Sequence, residues 1–421
     1  MIRNWWIRWR QTDHSLSVLT FGVLLYVVRV VGPGWRNGFP SFFPDSASYL
    51  KVAKLGPLSP SFWFTERPVG VPFLLWMSAC NTRAFVLLQT LFFAVSVAFL
   101  CHTILRIMKV RPLAWLTCAA IAAIAIQPRF GLWNLEVLSE SLGMSLAIIA
   151  LTCWLRASQA FTARRIWTAT LATVTWMLVR DSHGIPVLVL VIGLMVLAWR
   201  ASKKDLRSTL FKCIALLLVI FSYISISQGV SNRNQYPLMN NVGLRILPDQ
   251  EMTNHFVDRG MPPSETLSGR SGRNTWDDGE VFLKAPELAQ FRQWVNGSGQ
   301  TDQLLSLAMD APFWIDVMQK ELPGSLAYDF HDYDRFNTLE RLPAQSFGFD
   351  SPRTTNQLVL WLATALAAIV ALLNFAKSRK FAVFSTIALA AVLTEMYASI
   401  AGDAVEVQRH LVGPFLRIFV I

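Results

Sequence analysis

The chain has 421 residues, 53% hydrophobic and only 15% charged, with a net charge of +11. Soluble domains carry about 25% charged residues, so the composition excludes an ordinary soluble domain and defines an all-α polytopic membrane protein. The positive surplus lies in short loops between apolar runs, while the hydrophilic stretch 230–355 holds 17 acidic against 11 basic residues; this distribution excludes a nucleic-acid partner.

In chain order, the first apolar run reads as a span over 15–33 that leaves the cytoplasm. It follows a basic start at Arg3, Arg8 and Arg10 and is too long for a signal peptide, so it is expected to be retained. A hydrophilic outer loop, 34–68, precedes a short apolar run at 69–80 that is too short to cross alone. Further spans are expected at 84–107, 113–128, 137–155, 166–180, 184–199, 212–229, 356–375 and 381–400. With the apolar tail 409–421 the total is about nine to eleven transmembrane helices. Strict alternation places the clusters Arg106/Lys109/Arg111, Arg156/Arg164/Arg165, Arg200/Lys203/Lys204/Arg207/Lys212 and Lys377/Arg379/Lys380 on the cytoplasmic side with the N-terminus. Three parts result: a transmembrane module over 1–229, an extracytoplasmic, mostly helical domain over 230–355, and C-terminal membrane helices over 356–421. Trp5, Trp6, Trp9, Trp133, Trp154 and Trp199 fall near expected span ends, where indole rings favour the headgroup layer. The five cysteines lie in or beside apolar runs and read as small packing residues.

The acidic residues carry the functional signal. Ten of the 27 lie outside 230–355, and eight of those map to the outer face: Asp45, Glu66, Glu136, Glu140, Asp181, Glu395, Asp403 and Glu406. Carboxylates are costly next to hydrocarbon, so acids gathered there from five parts of the chain point to a site. Asp45 opens a short helix expected after Pro44, where it serves as an N-cap, a fixed carboxylate, or both. Tyr49 lies one turn on. Glu136 and Glu140 are four apart at the start of span 137–155, which puts both on one helical face. Arg67, Arg180, His183, Arg409 and His410 belong to the same layer. They either pair with the acids or hold a phosphate, whose oxygens match the paired donors of a guanidinium. Asp403, Glu406 and His410 have helical spacing and are residue types that bind a divalent cation; no other cofactor is expected. The Tyr-Asp-Phe-His-Asp-Tyr-Asp run at 328–334 reads as a solvated acidic turn.

One order of features is distinctive: a single span, an outer loop with Asp45 and Tyr49, Arg67-Pro68 followed by Gly70 and Pro72, and then Glu136 and Glu140 opening a later helix. Arg245-Ile246-Leu247, Gly260-Met261-Pro262 and the ending Asp403-x-x-Glu406-x-x-Arg409-His410 follow. Over roughly 15–230 this order resembles the GT-C superfamily of membrane glycosyltransferases, the group that includes protein O-mannosyltransferases and aminoarabinose transferases. The resemblance implies a bacterial plasma-membrane enzyme that moves a sugar from a polyprenyl-phosphate donor to an extracytoplasmic glycan, lipid or protein, with inversion at the anomeric carbon. It also implies that Asp45 is the base, that Glu140 and Glu136 support it, and that Arg67, Arg180, His183, Arg409 and His410 bind the donor phosphate. Tyr49, Asp403 and Glu406 are acceptor or metal candidates. Many relatives carry an adjacent acidic pair in the first outer loop, whereas Asp45 stands without one. Three other classes stay open: a transporter or flippase for a lipid-linked or anionic substrate, a polymerase or ligase of surface glycans with its chemistry confined to the large outer domain, and a non-catalytic membrane scaffold.

Overall fold

The computed structural model describes residues 15–36, 40, 42–108, 110–126, 128–326, 379–405 and 407–420. The basic N-terminus, the 328–334 run, the expected span 356–375 and Glu406 lie outside the described residues. Among the described residues the protein is all-α, without a sheet. Among the described residues, five helices or helical segments are long and apolar enough to cross a membrane: Thr82–Ile107, Glu140–Gln159, Asp181–Arg200, Lys204–Val230 and Val383–Gly402. By length and composition they make this a multi-pass membrane protein.

The first helix, α1 (Ser15–Arg36), is followed by α2 (Ser46–Leu55) in the 34–68 loop and by α3 (Gly70–Met77) in the short apolar run after it, then by α4 (Thr82–Ile107) and α5 (Arg111–Ala125). Asn81 starts α4 by accepting hydrogen bonds from the backbone N–H of Arg83 and Ala84, at 3.0 and 3.1 Å. The next helices are α6 (Glu140–Gln159), α7 (Ala163–Met177), α8 (Gly184–Arg200) and α9 (Lys204–Val230). Two of the expected spans are short: α5 and α7 have 15 residues each, about 22 Å at 1.5 Å per residue, against a hydrocarbon thickness of about 30 Å. At α7 the chain turns at Leu178–Arg180 because Gly70 docks there. The Gly70 N–H donates to the Leu178 carbonyl at 2.8 Å, and a Cβ on Gly70 would lie 2.9 Å from that same oxygen. Only glycine permits this approach, which sets the outer loop against the end of α7.

The start of α6 departs from its pattern. The helix begins at Glu140, and Glu136 precedes it in extended backbone (φ −93°, ψ 143°), so the four-residue spacing does not place the two acids on one helical face. A buried amide causes the break. Gln89 of α4 donates to the carbonyls of Asn134 and Glu136, at 2.7 and 2.6 Å, and holds the segment out of helix. Asn134 in turn donates to the Tyr26 hydroxyl at 2.9 Å and accepts from Ser141 at 2.5 Å. Trp133 sits in this plug and is buried, away from the headgroup position expected from its place in the sequence; Trp199 is exposed.

Residues 231–326 form a helical unit with an apolar core of its own, including Leu238, Met239, Val242, Phe256, Phe291 and Trp294. Its helices are α10 (Gln235–Asn241), α11 (Gln250–Asp258), α12 (Ala289–Asn296), α13 (Gly299–Met309) and α14 (Ala311–Leu326), with a π-helical turn over Val242–Ile246. The helical periodicity expected over 281–295 and 301–320 is present but broken, by Ala285-Pro286 and by Asp310. The unit docks on the C-terminus of α15 (Arg379–Gly402), which precedes the last helix, α16 (Val407–Val420). Asn241 donates to the carbonyls of Ala401 and Gly402, at 2.9 Å each, and Arg245 donates to the carbonyl of Ile400. These are orphan acceptors at a helix end, where positive charge is also favourable. Glu321 of α14 holds the Arg245 guanidinium bidentately at 2.9 and 2.6 Å.

Candidate functional site

At the end of the bundle where α6 begins and α15 ends, five charged side chains from distant parts of the sequence meet. Asp45 Oδ1 lies 2.6 Å from Arg67 Nη2, and Asp45 Oδ2 lies 3.1 Å from Arg409 Nη2. Arg409 Nε is 2.9 Å from Glu140 Oε1, which also faces Arg180 Nη1 at 3.5 Å. Arg409 therefore bridges two carboxylates, one in the outer loop and one at the first residue of α6. Arg67 is oriented by Ser48, whose Oγ accepts from its Nε at 2.5 Å, and lies over the Tyr49 ring, 5.1 Å from its centroid. Arg409 lies over Phe43 in the same way at 5.0 Å.

Asp45 occupies the N-cap position of α2, but its carboxylate makes no capping hydrogen bond. Both oxygens are turned to the arginines instead. Burial works to raise its pKa, yet the charges of Arg409 and Arg67 outweigh burial and hold the carboxyl below the usual carboxylate range. Burial pushes the Tyr49 phenol up, and the nearby Arg67 guanidinium opposes it. Glu140 is 3% exposed and takes no hydrogen bond of good geometry among the described residues, so guanidinium charge is what compensates it.

The remaining predicted residues are placed differently. His183 turns into the bundle: its Nδ1 is 2.9 Å from the Trp176 carbonyl oxygen, its ring stacks on Trp176 at 4.6 Å, and its Nε2 is 4.0 Å from Glu395 Oε1. Glu395 also pairs with Arg417 of α16, which lies over Trp176. His183 thus belongs to a second buried cluster, behind Glu140, rather than to the group around Asp45. His410 sits among the charges of Arg180, Arg409 and Arg245. Asp403 lies between α15 and α16, so helical spacing does not relate it to His410. Its Oδ1 accepts from Asn240 Nδ2 and from the Val405 N–H, both at 3.0 Å, and burial raises its pKa despite these donors. Among the described residues no three His, Cys, Asp or Glu side chains gather as a metal site. Glu136 is buried beside the α6 start, Glu66 pairs with exposed Lys51, and Asp181 is held bidentately by Arg233, at 2.7 and 2.6 Å.

Sequence reasoning missed Arg233 and Arg417. Arg233 also donates to the Thr65 carbonyl at 2.6 Å, so it ties the segment leading to Arg67 to the turn that carries Arg180. Its signal was weak, one arginine among polar residues. Arg417 had a readable one, the single charge in the apolar run 411–421. It borders an apolar cavity of about 400 Å³ between α6, α7, α8 and α15. The cavity wall runs from Ala147 to Ser158 on α6 and from Pro186 to Leu197 on α8, about 16 Å along each helix.

No family model matches this chain, and a search of curated proteins finds no match.

Proposed function

We propose that the protein is a bacterial membrane glycosyltransferase of GT-C type, moving a sugar from a polyprenyl-phosphate donor onto a glycan, lipid or protein at the extracytoplasmic face of the plasma membrane. The observation that carries this reading is Arg409 bridging Asp45 and Glu140, with Arg67 and Arg180 on either side. Three guanidinium groups against two carboxylates leave one net positive charge, which matches a phosphodiester monoanion. The apolar cavity offers room within the bundle for a lipid chain.

Chemistry follows from competition for the arginines. With its oxygens held by Arg67 and Arg409, Asp45 is a poor base. A donor phosphate that takes the donors of both arginines releases the carboxylate, whose pKa then rises toward the usual value. Asp45 can next accept the proton of an acceptor hydroxyl as that oxygen attacks the anomeric carbon. The bond from that carbon to the phosphate oxygen breaks, and polyprenyl phosphate leaves as a dianion stabilised by Arg67, Arg180 and Arg409. The configuration inverts in this single displacement. Tyr49 and Ser48 position Arg67, and Glu140 positions Arg409 and Arg180.

The test is to incubate purified protein with a panel of polyprenyl-phosphate sugars and measure released polyprenyl phosphate, wild type against Asp45→Asn. The proposal expects turnover of at least one donor and its loss in the variant; no turnover of any donor by folded protein overturns it. A transporter reading draws on Glu395, His183 and Arg417, buried inside the bundle. It is favoured instead if a lipid-linked sugar crosses vesicles containing the protein without being cleaved.

A further inference from the structure

We propose that Trp276 and Tyr236 form a stacking platform for a pyranose ring of the acceptor, in the helical unit beside the charged site. The inference rests on the reading of the chain as a sugar transferase and names where the second substrate is held. Trp276 is 54% exposed, in contrast to the buried Trp294 and Trp314 of the same unit. One face of its indole stacks on Tyr236, with ring centroids 5.2 Å apart and planes 20° from parallel. The arrangement leaves an aromatic surface open to solvent on a supported ring, and the C–H face of a sugar packs on such a surface.

The loop that carries Trp276 is firmly seated. The Gly272 N–H donates to the Gly243 carbonyl at 2.8 Å, and a Cβ on Gly243 would fall on the carbonyl oxygen of Arg273, so the loop lies directly on the π-helical turn. The Asn274 side chain accepts from the Trp276 N–H at 2.8 Å, and Asp277 accepts from the Asn274 N–H at 2.9 Å. Thr275 donates through its N–H and hydroxyl to Asn240 Oδ1, at 2.9 and 2.6 Å, and Asn240 donates on to Asp403. Three hydrogen bonds, through Asn240, thus connect the residue beside Trp276 to the segment that leads into α16 and Arg409. A side chain ordered before binding loses little entropy when a ligand arrives.

The experiment uses full-length protein in nanodiscs without donor and two soluble probes, an α-linked mannotriose and a β-1,4-linked N-acetylglucosamine trisaccharide, titrated by calorimetry. Wild type is expected to bind at least one, Trp276→Ala to weaken that binding about five- to tenfold, and Trp276→Phe to keep most of it. Absence of binding by wild type to both, or equal binding by Trp276→Ala, overturns the platform. So does loss in Trp276→Phe of a component of fluorescence quenching by brominated lipids, which assigns the ring to the headgroup layer. Donor cleavage is scored separately. Saccharide binding without cleavage of any donor refutes the transferase reading alone, and cleavage without saccharide binding refutes the platform alone.

Discussion

Replacing Arg409 tests whether the bridge between Asp45 and Glu140 holds the bundle end together. The Glu140 side chain is 1% exposed and that of Arg409 7%, so removing the guanidinium strands a buried carboxylate, at a cost of about 3–5 kcal/mol. Arg180 at 3.5 Å still faces Glu140, which puts the expected loss at the low end, about 3 kcal/mol. Asp45 contributes less: its side chain is 25% exposed and keeps Arg67, so its share is about 1 kcal/mol or below. Arg409→Met should therefore destabilise by about 3 kcal/mol. Arg67→Met, which breaks a partly buried pair with Asp45 and the hydrogen bond to Ser48, should cost about 1–2 kcal/mol. The informative variant is the double one. Adding Glu140→Gln to Arg409→Met removes the stranded charge and should restore about 2 kcal/mol. Unfolding of detergent-solubilised protein by denaturant, followed by circular dichroism, measures all four members of the cycle. If the double variant is as unstable as the sum of the single ones, the two side chains are not coupled and the reasoning fails.

Other consequences are as direct. The Asp45 carboxyl has a folded pKa below its unfolded value, so its stabilising contribution is complete above about pH 4 and is lost as pH falls through the folded pKa. Asp45→Asn should flatten the acid limb of a stability–pH profile, and an unchanged limb would exclude Asp45 as its source. Asp403 has the opposite sign: its raised pKa means that stability falls as pH rises through it. Asp403→Asn, oriented with its carbonyl oxygen toward Asn240 and Val405, should be at least as stable as wild type at neutral pH; a large loss there would contradict the assignment. Arg245→Ala leaves the Ile400 carbonyl without its donor and Glu321 without its fork, so residues 231–326 should become sensitive to limited proteolysis while α4 and α6 stay protected. Arg233→Ala releases both Asp181 and the Thr65 carbonyl and should slow donor turnover about tenfold or more, with Arg233→Lys restoring only part of it. Equal rates in all three proteins would remove Arg233 from the account.

Much of the framework was readable because apolar runs and positive loops obey simple length and charge constraints. Thr82–Ile107 and Lys204–Val230 lie where hydropathy puts them. The association of Asp45, Glu140, Arg67, Arg180 and Arg409 was anticipated from the cost of charge at a membrane boundary, without knowledge of which pairs form. The pairing was not readable, since Asp45 and Arg409 are 364 residues apart and nothing local encodes their contact. Local periodicity also misplaced Glu136, because a buried glutamine on another helix overrides the helical pattern there. His183 went to the wrong cluster for a related reason. Its partners Trp176, Glu395 and Arg417 come from three helices, and the absence of a Cβ on Gly143 leaves its ring the space to turn inward.

The central claim is that a lipid-linked phosphate and Asp45 compete for the same arginines, and one pair of measurements reaches it directly. Equilibrium binding of polyprenyl phosphate and donor turnover are compared in wild type and Asp45→Asn. The account predicts opposite changes, turnover abolished and polyprenyl-phosphate affinity raised about fivefold, because a partly buried ion pair worth about 1 kcal/mol no longer occupies Arg67 and Arg409. Weakened or unchanged lipid-phosphate binding in Asp45→Asn would contradict it.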